Sequence, residues 1–137
     1  MFEGDAVDDL VRRIEANDAS LTTFGLEVGP VSHGRATVRM TVRQDLTNGH
    51  GVVHGGAVFA LADTAFACAA GTVAPNTVTT DASIVYLSPG RLGEELVAEA
   101  TVRHAGRRSL VDVTVRAGSR LVAEYRGRGT ELRADRK

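Results

Sequence analysis

Asp63 is the residue of this chain whose type and surroundings are best suited to chemistry. From Ala57 to Ala70 almost every position is small or apolar, on all helical faces, which predicts a buried helix. A buried acid without a partner costs roughly several kcal/mol, and no Lys or Arg occurs between residues 44 and 90. We therefore interpret Asp63 as a catalytic candidate. The alternative is a carboxylate that caps nearby backbone or pairs with a distant base.

Gly55 and Gly56 lie where this helix should begin, directly after His54. The first turn of a helix has unpaired N–H groups and the positive end of the dipole, which suit a carbonyl oxygen that becomes an oxyanion. Glycine also lets a substrate approach the backbone closely. The pair therefore predicts an oxyanion site, and the alternative is that both glycines serve only tight packing.

The helix separates the acid from these N–H groups. Asp63 lies seven residues beyond Gly56, which is about 10 Å along a helix axis. One reacting carbon cannot contact both on the same helix. Two antiparallel copies of the helix would bring Asp63 of one chain to Gly55 of the other, which predicts a homodimer with two shared sites.

Further polar residues flank the helix. Asn48 has an amide that can contact water or a substrate carbonyl, although Asn48-Gly49 is also an ordinary turn pair. His54 is a candidate to orient the loop, to support the site or to act as an acid, and a purely structural hydrogen bond is the alternative. A side chain of the following strand is a candidate to hold water near Asp63, although a solvent-facing strand also explains these four residues: Thr79, Thr80, Asp81 and Ser83. We predict no metal site, because His50 and His54 lack a third ligand at a usual spacing.

Composition limits the classes of protein. The length of 137 residues predicts a single domain over 1–137. Sixteen basic and seventeen acidic residues give a net charge of −1, so no bulk field points to nucleic acid or membrane. One cysteine excludes an internal disulfide and suits a reducing cytoplasm. The acidic N-terminus has no signal-peptide pattern, and Asp63 interrupts the only run long enough to span a bilayer.

The remaining pattern predicts an α+β fold. An amphipathic helix over residues 7–14 precedes a strand over 21–28 that Gly29-Pro30 ends, and residues 35–43 alternate as a half-buried strand. After the buried helix, the strands of 78–87, 96–102, 111–115 and 121–128 include an antiparallel meander with short turns. We expect this sheet to curl around the buried helix. The uncovered side of the helix should meet another copy of the chain.

Asn48, His54-Gly55-Gly56 and Leu61-Ala62-Asp63-Thr64-Ala65-Phe66-Ala67 together resemble the hot-dog-fold acyl-CoA thioesterases of the phenylacetic-acid-degradation (PaaI) type. The resemblance implies an antiparallel sheet wrapped around one long helix, dimers and often tetramers, and hydrolysis of acyl-CoA without metal or cofactor. It implies that Asp63 is the nucleophile or the general base and that Gly55 of the facing subunit binds the oxyanion. Asn48 would position water or thioester, His54 would support that geometry, and Thr79 would help to hold the water.

The resemblance defines the substrate less closely than it defines the fold and the reaction. The chain has Ala69-Ala70-Gly71 where relatives often carry Asn, and its next strand lacks the Cys and Arg of phenylacetyl-specific members. We predict phenylacetyl- or hydroxyphenylacetyl-CoA, with Gly56 contacting substrate. The candidates for the CoA phosphates are Arg107 and Arg108, chosen from a pool that also holds Arg91, Arg126 and Arg128. The alternatives are a non-catalytic acyl-CoA-binding or sensing module, and a hydratase or dehydratase with a His–Asp pair that uses His54.

Overall fold

The computed structural model describes residues 3–132, so Met1, Phe2 and residues 133–137 of the predicted domain lie outside it. The described chain consists of a pair of N-terminal helices, two strands, one long helix and four longer strands. In chain order the elements are α1 (Glu3–Asn17), α2 (Ala19–Phe24), β1 (Leu26–Ser32), β2 (Arg35–Thr41), α3 (Gly55–Val73), β3 (Thr77–Tyr86), β4 (Glu95–His104), β5 (Arg108–Ala117) and β6 (Arg120–Glu131).

The six strands form one antiparallel sheet in the order β1-β2-β4-β5-β6-β3. The predicted meander is confirmed, because β4, β5 and β6 are neighbours in space and sequence. β3 leaves the end of α3 and pairs with β6 at the opposite edge from β1. The chain between β2 and β3 therefore crosses the sheet, and α3 is the element that makes the crossing.

The sheet encloses α3, as the alternating sequence predicts. Val111, Val113 and Val115 of β5 point inward and are fully buried, as are Leu61 and Phe66 of α3. The predicted α+β arrangement, a sheet curled around one apolar helix, is therefore confirmed. By length and composition α3 would also suit a membrane span, but most of its apolar stretch is buried within this core.

The predicted strand over 21–28 is wrong in its first half. Asp18 caps α2, since its side chain accepts a hydrogen bond from Ser20 N–H at 3.1 Å. Gly25 then ends α2 in the left-handed conformation, with φ of 67°. These local caps keep Leu21 in a helix, so β1 begins only at Leu26. The strand also continues through Pro30 to Ser32, with a register shift, instead of ending there.

One stripe of α3 is not covered by the sheet. Ala60, Asp63, Thr64 and Ala67 are spaced by three or four residues and are each half-buried, whereas Leu61, Ala62, Ala65 and Phe66 are fully buried. The stripe is built mostly of small side chains, which allow another helix to approach closely. It places the Asp63 carboxylate at the surface of the single chain.

Candidate active site

Asp63 is anchored by one of its two carboxylate oxygens. Oδ1 accepts hydrogen bonds from Thr79 Oγ1 at 2.9 Å and from the Tyr125 hydroxyl at 2.5 Å. No residue among 3–132 donates a hydrogen bond to the second oxygen, Oδ2. Thr79 contacts Asp63 directly, whereas its role in holding a water stays a prediction.

Tyr125 is a site residue that the sequence reasoning missed. It lies on β6 with only 2% of its surface exposed. Its ring packs edge-on against Phe59 and tilted against Phe66, with centroids 5.5 and 6.2 Å apart. Burial, followed by the contact with Asp63, raises the pKa of the Tyr125 phenol well above its usual range. Alternation along β6 does indicate an inward side chain, but nothing local indicates that it reaches Asp63.

The start of α3 leaves one N–H group for a ligand. His54 is the N-cap, and its Nδ1 accepts a hydrogen bond from Gly56 N–H at 2.8 Å. An acceptor at Nδ1 places the proton of the neutral imidazole on Nε2. Gly56 N–H is therefore occupied, whereas Gly55 N–H has no acceptor among the described residues. This distinction favours Gly55 over Gly56 as the donor to an oxyanion.

Asn48 both shapes its loop and leaves a donor. Its Oδ1 accepts hydrogen bonds from the N–H groups of His50 at 2.9 Å and Val52 at 3.4 Å. These are the turn contacts that the sequence offers as the alternative to a functional role for Asn48. Its amide NH₂ has no acceptor within residues 3–132. The turn thus holds the side chain while the NH₂ group stays able to donate to a bound carbonyl.

Asn48 and Gly55 line a common cavity of about 420 Å³, here called the entrance cavity, which Tyr86 and Pro89 also line. The Tyr86 hydroxyl donates to the Gly55 carbonyl at 2.8 Å. A Cβ atom at position 55 would lie 3.1 Å from the Tyr86 ring. Glycine therefore permits this close contact, and Tyr86 is a second residue that sequence reasoning missed. Asp63 does not line the entrance cavity.

The other predicted residues fall into three groups. Arg126 pairs with Asp112 at 2.6 Å and Arg128 pairs with Asp81 at 2.7 Å. Cys68 is buried, and burial raises its thiol pKa to about 12, so it is a core residue. The remaining candidates for the CoA phosphates are exposed: Arg91, Arg107 and Arg108. Arg107 and Arg108 lie at the turn between β4 and β5 and form no ion pair with any described residue.

Comparison with known proteins agrees with this fold. The sequence profile described as "Thioesterase superfamily" matches residues 50–124. The acyl-coenzyme A thioesterase PaaI of Escherichia coli K12 is 40% identical over 85% of this chain and 84% of its own length. A solved structure of E. coli PaaI superposes with a TM-score of 0.91 and 32% identity, over 95% of this chain and 96% of that one.

Two further similar proteins are described by their relation to coenzyme A. Human acyl-coenzyme A thioesterase 13 is 35% identical over 68% of this chain and 70% of its own length. A Streptococcus mutans UA159 protein solved with bound acetyl CoA superposes with a TM-score of 0.75 and 29% identity, over 82% of this chain and 91% of that one.

A six-stranded antiparallel sheet around one long helix, with an acid on that helix, defines a hot-dog-fold protein of the thioester hydrolase class. The chain belongs to the thioesterase superfamily. The predicted resemblance to the PaaI type is confirmed, and so is the predicted hot-dog fold. The roles of individual site residues stay predictions.

The N-cap of α3 should contribute to the free energy of unfolding. His54→Ala removes the acceptor of Gly56 N–H and should lower the free energy of unfolding by about 0.5–2 kcal/mol. His54→Asn keeps an acceptor at the N-cap and should retain most of that stability. Urea denaturation of the three proteins at equal concentration measures the difference. Equal stability of His54→Ala and wild type would show that the cap contributes nothing.

Proposed function

We propose that the protein hydrolyses acyl-CoA thioesters to the free acid and CoA, with an aryl-acetyl group such as phenylacetyl or hydroxyphenylacetyl as the acyl part. The observation that carries the proposal is the carboxylate of Asp63, which is fixed at Oδ1 by two hydroxyl groups and receives no hydrogen bond at Oδ2 from the described residues. It lies in a chain that belongs to the thioesterase superfamily and resembles proteins named as acyl-CoA thioesterases.

Asp63 supplies the base or the nucleophile. In one route Oδ2 takes a proton from water while the water oxygen attacks the thioester carbon; the carbon–sulfur bond then breaks and the proton passes to the leaving CoA sulfur. In the other, Oδ2 attacks that carbon and CoA leaves as the thiolate. Water then cleaves the resulting anhydride, which restores the carboxylate and releases the proton that the thiolate takes up. Both routes consume one water and pass through an oxyanion, which Gly55 N–H stabilises with help from Asn48 NH₂. A covalent acyl group on Asp63, trapped with hydroxylamine and located by mass spectrometry, would identify the second route.

The proposal requires two chains, because α3 alone holds the two halves of the site apart. Gly55 and Asp63 are eight residues apart on α3, or about 12 Å along its axis. The uncovered stripe of α3 and the exposed Val85 and Tyr86 of β3, each more than half exposed, form the surface that a second copy would cover. Packed antiparallel, two copies form two sites, each with Asp63 from one chain and Gly55 from the other. A tetramer and a cytoplasmic location stay predictions.

A second cavity supports an aryl-acetyl substrate. This α1 pocket, of about 460 Å³, lies between α1 and α3 and is walled by Leu10, Ile14, Ala67 and Gly71. Asp63 does not line this pocket, but Ala67 does and is one helical turn beyond Asp63, so the two residues are neighbours on the helix surface. The apolar part of the wall suits an aromatic ring, and polar side chains that also line the pocket, among them Asp18 and Asn76, suit a ring hydroxyl.

The exposed Arg107 and Arg108 are proposed to contact the CoA phosphates, since unpaired guanidinium groups bind phosphate in a bidentate manner. Arg108 pairs in register with Thr130, and Thr130 pairs with Val78 at the start of β3. The two arginines thus lie at the end of the sheet from which β3 runs toward Thr79.

Asp63→Asn should reduce kcat by roughly 10³-fold or more, because the amide neither accepts a proton nor attacks carbon at a useful rate. Asp45→Asn, the same change at an exposed carboxylate paired with Arg43, is the matched control and should retain activity. Thiol release is measured over acetyl-, hexanoyl-, phenylacetyl- and hydroxyphenylacetyl-CoA, before and after dialysis against EDTA. No step is assigned to a metal, so dialysis should change nothing. Saturable binding without thiol release would instead support a non-catalytic module.

Gly55→Pro tests the oxyanion site and its sharing between chains. Proline suits the first helical position, and His54 already has the extended backbone that precedes proline, with φ of −65° and ψ of 135°. The change removes the N–H and should lower kcat by about 10²–10³-fold. Gly55→Ala adds a similar Cβ beside Tyr86 but keeps the N–H, so it should retain far more activity.

An equal mixture of Gly55→Pro and Asp63→Asn chains, after subunit exchange, should recover about one quarter of wild-type activity. Half of the dimers are then mixed, and each mixed dimer has one intact site of two. Verified mixed dimers with no recovered activity would reject a site shared between chains.

Gly71→Val tests the acyl pocket. A Cβ added at position 71 would lie 3.1 Å from Leu10 Cδ2, so a larger side chain must fill the space between α1 and α3. We expect kcat/KM for phenylacetyl-CoA to fall by about tenfold or more, with acetyl-CoA little changed. Adding Leu10→Ala should restore part of the loss. An equal loss for both substrates would place the acyl group elsewhere.

A further inference from the structure

The two hydroxyl groups on Asp63 Oδ1 differ in how firmly they are held. Thr79 is exposed on β3, the edge strand of the sheet. Tyr125 is almost fully buried on β6 and reaches the same oxygen from inside the sheet. Asp63 therefore has one donor at the surface and one donor that belongs to the core.

The Tyr125 ring has little freedom to move. Phe59 and Phe66 of α3 contact it on two sides. The ring also leans over Gly127, where an added Cβ would lie 2.8 Å from its Cε1, its hydroxyl oxygen and Phe66 Cδ2. Gly129, the next inward position, pairs in register with Thr79. The missing side chain at Gly127 thus lets the ring extend along β6 toward Asp63.

The chemistry of this hydroxyl leaves it one role. Burial and the neighbouring Asp63 raise the pKa of Tyr125, so the phenol keeps its proton near neutral pH. Its single O–H donor is already used on Asp63 Oδ1. The group therefore acts through the carboxylate and not directly on a substrate.

We propose that Tyr125 is a positioning residue for hydrolysis, which holds Asp63 by Oδ1 so that Oδ2 faces the reacting carbon or its water. This inference rests on the catalytic role proposed for Asp63. A charged carboxylate that is already oriented need not lose rotational freedom when it reacts, which accelerates the chemical step without tighter substrate binding. Thr79 supplies the second donor from the surface.

Tyr125→Phe is the direct test, because it keeps the ring and its packing and removes only the hydroxyl. We expect kcat to fall by about tenfold to a hundredfold, as for loss of a hydrogen bond to a charged group, with KM nearly unchanged and the folded state retained. A purely structural role for the ring would leave kcat at the wild-type value. Unchanged kcat, or a raised KM with unchanged kcat, would overturn the proposal.

A second measurement needs no activity. The chain has two tyrosines and no tryptophan, so Tyr86→Phe leaves Tyr125 as its only tyrosine. A hydroxyl that donates to a carboxylate forms a short, strong hydrogen bond, so proton NMR of this variant should show one slowly exchanging, downfield hydroxyl resonance. Adding Asp63→Asn should move that resonance upfield, whereas adding the control Asp45→Asn should not.

Absence of the resonance, or no response to Asp63→Asn, would overturn the contact even if Tyr125→Phe were unstable. Wild-type protein that releases no thiol from any CoA ester would reject the proposed function instead. The NMR result would then still establish whether Tyr125 holds Asp63.

Discussion

The arrangement of this protein depends on how a carboxylate is accommodated on a helix that is otherwise built for burial. α3 must be apolar on most faces because the sheet encloses it. Asp63 is tolerated there because it lies on the uncovered stripe and because Thr79 and Tyr125 satisfy one of its oxygens. Those two donors come from β3 and β6, which are neighbours only because α3 carries the chain across the sheet. The crossing that buries the helix therefore also brings the donors to its acid.

Missing side chains matter as much as present ones. Gly127 and Gly129 on the inner face of β6 leave the space that Phe66 and the Tyr125 ring occupy. Gly55 lets the Tyr86 ring approach the start of α3, and its own N–H has no acceptor among residues 3–132. In each case an added Cβ would fill the volume into which a neighbouring aromatic ring fits. The glycines act here through close approach, and not through unusual backbone angles.

Helix geometry explains why a single chain holds two incomplete clusters. The rise of an α-helix keeps an acid in the middle of α3 away from the N–H groups at its start. The entrance cavity accordingly gathers Asn48 and Gly55 but not Asp63, and the α1 pocket includes Ala67, one helical turn beyond Asp63. A reaction that needs both an acid and an oxyanion donor at one carbon favours a second copy of the chain. Assembly would then be part of catalysis as well as of stability.

The sequence by itself determined the buried helix, the alternating strands, the glycines at the helix start and the isolated acid. Each of these is a local pattern of side-chain polarity or size, so the family followed from them as well. The pattern of the sequence misplaced the start of β1, because the capping by Asp18 and Gly25 outweighs the apolar run from Leu21. Only the tertiary structure decided that Tyr125 reaches Asp63 and that Tyr86 reaches Gly55. Those contacts join residues that are 62 and 31 positions apart in the chain and depend on how the strands and the helix pack, which no local pattern encodes.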